Sequence, residues 1–400
     1  MKRGVPFKPS KGTLLTILLC SMLMLMGGAA VAPALPLIEA QFPGQETLVS
    51  MIITIPSLAV ALVGFAVGAI ADRFGKVRAL SMSLAIFVIA GVAGFFIDSN
   101  IYLMLAVRFI VGIGIAGISS AVTALIAEYY MGMNRVKVLS YQSAAMGVGV
   151  LILEYTGGSL AEISWREPFL VYLIGIPILL LVILTMREPE APQVVPEIRE
   201  TPVRKSNKNL LIVCYITIFV AMTMAFLLPT KMPTYLQLEL GVSTSITGLF
   251  LGVHGVSNAC FAVMYRRIVQ RIRPYAIMGT GFILMFIGLV VLELSETIGA
   301  SIVMMILAGI ALGMITPAVS NTLATEVTGT NSGKIMGGYS TCLNFGQFAI
   351  SLISVPLFTL VGSSYPDMFA VMAVLALVVG LLFIGYCAKT RRFKADGLNA

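Results

Sequence analysis

Long apolar runs without a single charge decide what this chain can become. Residues 13–37 read TLLTILLCSMLMLMGGAAVAPALPL and contain no Asp, Glu, Lys or Arg. A helix of about 20 such residues crosses the roughly 30 Å hydrocarbon core of a bilayer. Runs like this recur to the end of the chain. They explain a composition that is 58% hydrophobic and 11% charged, where a soluble domain carries roughly 25% charge. The ten-residue alternation of apolar and polar positions that marks a membrane barrel is absent from the sequence. The sequence therefore predicts an all-α membrane protein.

Twelve spans follow from the hydrophobic pattern, near 13–37, 48–71, 77–97, 101–125, 137–161, 167–186, 209–230, 244–265, 275–293, 298–320, 335–360 and 366–388. The first is too long for a signal-peptide core and is read as a span, although the small residues GGAAVAPAL within it resemble a cleavage site. Between the sixth and seventh lies REPEAPQVVPEIRETPVRKSNKN, rich in Pro and charge, which reads as a soluble linker. The expected organisation is a six-helix bundle over 1–186, a cytoplasmic linker over 187–208, and a second six-helix bundle with a tail over 209–400.

Orientation follows from the basic residues. Of the 26 Lys and Arg residues, all but Arg108, Arg166 and Lys231 fall at one side of the twelve-span arrangement. Basic loops stay in the cytoplasm, so both termini are expected there, with the chain spanning the inner (plasma) membrane. Lys231, at the end of span seven, reads as a solvated residue near the outer mouth. The net charge of +8 is scattered over short loops, which argues against a nucleic-acid partner. The five cysteines lie in apolar runs without metal-ligand spacing. No nucleotide-binding loop or nucleophile–base set is visible either. No cofactor or metal is expected, and the chain is not read as an enzyme.

Between spans two and three stands GAIADRFGKVRAL. It resembles the loop signature of the major facilitator superfamily at Gly68, Asp72, Arg73, Gly75, Lys76 and Arg78. Gly75 allows a tight turn, and Gly68 permits close approach of another helix. The resemblance implies a cytoplasmic latch between the two bundles in the outward-open state. Glu128, at the cytoplasmic end of span four, is the expected partner of Arg73. RFIVGIG from Arg108, TGGSLAEISWREPF after span five, PTKMPTYLQLELGVS and FGQF resemble bacterial drug:proton antiporters of that family. Val111 replaces the Gln usual in the span-four element, and one further departure matters more. Their span five usually carries Gly-Pro-x-x-Gly-Gly, and here the same frame reads Leu153-Glu154-Tyr155-Thr156-Gly157-Gly158.

That departure places a carboxylate, Glu154, inside a span. An ionised carboxylate at mid-bilayer costs several kcal/mol unless it meets water or a partner. Arg108 lies about seven residues, roughly 10 Å, from the outer end of span four, and Glu154 lies at the same depth in span five. Two readings stand. The pair is a structural ion pair, or Glu154 carries a coupling proton within reach of Arg108. Arg108 alone could also bind an anionic group. Gln142, His254, Asn258, Asn321, Asn344 and Gln347 are the remaining polar residues expected to line a cavity or to hydrogen-bond between helices.

The expected function is proton-coupled export of small apolar or amphipathic compounds by alternating access. The alternative is proton-coupled uptake or exchange of a small, possibly anionic, metabolite. The partners are the small-molecule substrate, protons and the lipid bilayer, and a monomer suffices for a complete pathway.

Overall fold

The structure is a computed structural model that describes residues 9–189, 207–327 and 332–396. Eleven helices are long and apolar enough to cross a bilayer: Glu46–Ile70, Lys76–Phe96, Ile101–Tyr129, Gly132–Ala161, Glu167–Thr185, Lys208–Glu239, Thr244–Val269, Pro274–Ser295, Ile298–Ala324, Gly333–Leu360 and Tyr365–Cys387. A bent pair, Lys11–Leu23 and Met26–Gln41, completes the set as span one, with 51° between its parts. The fold is the expected one, all helical among the described residues, with twelve spans in two six-helix bundles. Most of the predicted linker lies outside the described residues.

The bend in span one has a local cause. Gly27 and Gly28 weaken the helix just past the bend, and Pro33 and Pro36 remove two backbone donors further on. The chain responds with a short 3-10 turn over Ala32–Ala34. Span seven also departs from the predicted 209–230. It continues to Glu239 through a π-helical turn at Tyr235–Glu239, because the helix runs on past the last unbroken apolar stretch.

Chain neighbours are not always neighbours in space. Span four packs between spans two and three, whereas span five leaves it and lies against spans one and eight. Spans five and eight, and spans two and eleven, form the two long seams between the bundles. The five–eight seam is built from glycine. A methyl on Gly248 would strike the Glu154 carbonyl, one on Gly158 the Thr244 carbonyl, and one on Gly252 the Leu151 backbone. Small residues let helices approach closely where lipid offers no hydrophobic drive.

Twelve crossings place the start of span one and the end of span twelve at one side, here called the terminal side. Every described hydrogen bond between the bundles lies at mid-depth or toward the opposite side. Thr54 and Ser351 hydroxyls meet at 2.6 Å, and Ser57 donates to Gln347 Oε1 at 2.6 Å. Nearer the far surface, Thr244 donates to the Gly158 carbonyl at 2.8 Å and Gln237 to the Pro33 carbonyl at 2.7 Å. The bundles are closed together on the side away from the termini.

Candidate functional site

Glu154 sits where three elements from the two bundles converge. Gly157, one turn on, faces the Ala30 carbonyl at the broken part of span one, and the Glu154 carbonyl faces Gly248 of span eight. The residue is 6% exposed, and its Oε2 has no hydrogen-bond partner. No ion pair involves it among the described residues. A charge held in this way is strongly disfavoured, and a bound proton removes the penalty.

The expected pairing of Arg108 and Glu154 is not formed. Equal depth along their helices suggested a meeting, but span four and span five diverge. Arg108 is fully buried and committed elsewhere. Its Nε donates to the Ile52 carbonyl at 2.8 Å. Ile52 stands four residues before Pro56, which lies inside the helix of span two. Proline has no N–H, so that carbonyl loses its helical donor, and Arg108 replaces it. A second guanidinium nitrogen donates to the Tyr172 hydroxyl, and the Tyr172 ring lies 5.6 Å from the guanidinium carbon. Tyr172 in turn donates to the Met26 carbonyl at 3.2 Å, at the break in span one. One arginine thus closes the proline gap in span two and, through Tyr172, ties it to the break in span one, with its Nη2 left unpartnered. Freed carbonyls inside a bilayer need such donors. The sequence signals for this arrangement were Pro56 and the glycine–proline content of span one.

The signature loop is a compact cap. Gly75 has φ +99° and opens the helix that starts at Lys76. A side chain there would run into the Glu188 carboxylate. Glu188 accepts from the amides of Lys76 at 2.9 Å and Arg78 at 3.0 Å, satisfying two free donors at that helix start. The partner of Glu128 is Lys76, not the expected Arg73; Arg73 is exposed. The turn at Gly75 carries Lys76 onto the adjacent span four. The side chain of Asp72 lies outside the described residues. Gly68 is not at a tight crossing, since a methyl there would meet Ser120 Oγ at an ordinary 3.7 Å. Among the described residues, the hydrogen bonds and ion pair of this loop stay within the first bundle and its following segment.

The other polar candidates separate into groups. Gln347 joins the bundles through Ser57, and its Nε2 lies 3.7 Å from the sulfur of Met222. Gln142 stands in a matching relation to Met24, at 3.8 Å. Asn344 donates to the Ser340 carbonyl one turn back in its own helix. His254 is partly buried and its Nε2 has no partner. It lies with Asn258 where span ten comes close, since Gly309 faces the His254 carbonyl and Gly313 that of Asn258. Asn321 is exposed on span ten. A cavity of about 630 Å³ opens between spans seven, nine and twelve, lined by Val213, Val220, Tyr275, Phe383 and Tyr386 among others; none of the candidates faces it.

Lys231 corrects a sequence expectation. It is 4% exposed rather than solvated, and its Nζ lies 3.8 Å from Glu39 Oε1 across the bundle interface. Glu39 escaped notice because it sits at the end of the first apolar run, where a carboxylate reads as interfacial.

The sequence model of the Major Facilitator Superfamily matches residues 17–351 and, in a second match, 214–397. Multidrug resistance protein 1 of Bacillus subtilis (strain 168) is 32% identical over 183 residues, covering 45% of this chain and 46% of that protein. The multidrug efflux protein YfmO of the same organism is 33% identical over 160 residues, 40% of this chain and 39% of that protein. The chain thus matches less than half the length of these curated relatives. Among solved structures, the nucleoside transporter NupG superposes with a TM-score of 0.78 over 93% of this chain and 99% of its own, at 12% identity. At that identity the likeness is one of fold.

Proposed function

The chain belongs to the major facilitator superfamily, and on that premise we propose that it is a proton-coupled exporter of small apolar or amphipathic compounds. It works by alternating access, as the two bundles rock about the five–eight and two–eleven seams. The basic loops put the terminal side in the cytoplasm, so the form described here is closed outward, with the inner membrane as its site and a monomer as the working unit.

The observation that carries this reading is Glu154, a buried carboxyl without a partner at the meeting point of both bundles. Rocking changes what such a group faces. Facing the outside it takes a proton, and facing the cytoplasm it gives the proton up as substrate enters. The efflux and multidrug-resistance names of the two Bacillus relatives support export, and the methionine-bearing faces near Met24 and Met222 suit adaptable apolar binding. Arg108 is a structural donor in this reading rather than the proton partner of Glu154.

The test uses purified protein in liposomes with ethidium as probe, comparing wild type with Glu154→Gln. Export coupled at Glu154 predicts that the variant still exchanges ethidium down its gradient but no longer concentrates it under an imposed pH gradient. A variant that concentrates ethidium like wild type removes Glu154 from the mechanism.

The second reading is proton-coupled uptake or exchange of a small, possibly anionic, metabolite. The unpartnered Arg108 Nη2 and the fold shared with a nucleoside transporter favour it. It predicts that nucleosides or small organic anions, and not lipophilic dyes, drive proton movement in the same liposomes.

A further inference from the structure

Among the described residues, one ion pair joins the two bundles. Lys231 of span seven and Glu39 of span one meet at 3.8 Å near the outer ends of their helices, with side chains 5% and 14% exposed. Thr234, one turn beyond Lys231, donates to the other Glu39 oxygen at 3.1 Å. Gln237 then bonds the Pro33 carbonyl at 2.7 Å, so three consecutive steps along span seven grip the outer part of span one. The other bonds across the outer mouth are neutral or exposed. Glu162, which accepts from Ser245 at 2.5 Å, is exposed. Glu46, another carboxylate whose field reaches Lys231, is also exposed and accepts from the Gly44 amide.

A buried charge is tolerated only with its partner, and removing one partner leaves the other uncompensated. Glu39 Oε1 has no hydrogen bond at all, so its compensation comes from Lys231. The two charges therefore have two stable arrangements. They are together and dry, or apart and in water. The first requires a closed outer mouth and the second an open one. Such a contact is a two-state element that biases a rigid-body motion.

We propose that Glu39 and Lys231 are an electrostatic latch that holds the outer mouth shut, and that the transport cycle separates them each time the carrier opens outward. The latch rests on the alternating-access reading above, and is independent of the assignment of Glu154 and of the substrate.

The experiment measures the outer mouth directly. Spin labels are placed at Ile163→Cys, just past span five, and Leu238→Cys, in the last turn of span seven, both exposed, in full-length protein whose native cysteines are replaced. The protein sits in lipid nanodiscs without substrate, and pulsed electron paramagnetic resonance gives the distance distribution. Glu39→Gln or Lys231→Gln alone is expected to raise the ratio of open to closed mouths about tenfold, which corresponds to ~1.4 kcal/mol. Lys231→Arg keeps the mouth closed. The exchanged pair Glu39→Lys with Lys231→Glu returns the ratio to within about threefold of the parent, less than ~1 kcal/mol. Unchanged distributions in both single variants overturn the latch, and so does an exchanged pair as open as the singles. If the single variants do not yield monodisperse protein, the exchanged pair decides. Recovery of folded, closed protein supports the latch, and its failure overturns it. None of these outcomes bears on Glu154, because the labels report the mouth in the absence of substrate and of a pH gradient.

Discussion

Replacing Arg108 with Met should destabilise the protein in a way that depends on a proline in another helix. Met keeps the unbranched stem out to about the position of Nε and removes every donor. The Ile52 carbonyl then has neither the amide that Pro56 lacks nor the Arg108 Nε at 2.8 Å. An unsatisfied buried polar group costs about 1–3 kcal/mol. Loss of the guanidinium contact to the Tyr172 hydroxyl adds to this, while removal of a cation with one unpartnered nitrogen works the other way. The net expectation is a fall of about 2–5 °C in melting temperature, taking roughly 2 °C per kcal/mol for a large chain. Pro56→Ala alone should be nearly neutral, because alanine at that position supplies the missing amide. In the Pro56→Ala background the cost of Arg108→Met should then drop by at least half. The assay is thermal melting of the four purified proteins in one detergent, read as a double-mutant cycle. An identical cost with and without Pro56 refutes the carbonyl argument. A variant with unchanged stability but uncoupled transport would return Arg108 to the proton pathway.

Three further outcomes follow from the geometry. Gly248→Val should abolish transport or prevent folding, because its side chain has nowhere to go but the Glu154 carbonyl; flux and monodispersity separate the two effects. Glu188→Ala should loosen the first turn of the helix starting at Lys76, with loss of the two amide bonds costing about 0.5–2 kcal/mol locally. Faster hydrogen exchange at residues 76–79 is the readout. Glu128→Gln should change stability by less than about 1 kcal/mol, since its pair with Lys76 is partly solvated at 20% and 21% exposure, and a melting shift of more than a few degrees would contradict this.

Sequence made the spans legible because hydrophobic length is itself the physical requirement for crossing a bilayer. Their limits agree with the structure to within a few residues at most ends, and the bend at Leu23–Met26 was the main surprise in span one. Lateral arrangement was not legible in the same way. Depth along a helix can be counted from the sequence, but which helices touch cannot. That is why Arg108 and Glu154, equal in depth, proved not to be paired, and why Lys231 looked solvated when its partner came from span one. The loop signature was readable as a turn at Gly75, yet the pairing of Glu128 with Lys76 depended on the direction in which that turn sent the chain. Glu154 itself was legible as an anomaly because a lone carboxylate in an apolar run has few physical excuses. Its isolation required coordinates.

The most direct test of the account is proton release on substrate binding. Wild type and Glu154→Gln are purified in weakly buffered detergent near neutral pH with a pH-sensitive dye, and ethidium is added. If Glu154 is the group that trades its proton for substrate, wild type releases protons in proportion to the ethidium bound, and the variant binds ethidium with no release. Equal release from both proteins would contradict the assignment and move the coupling site away from the one buried carboxyl on which it rests.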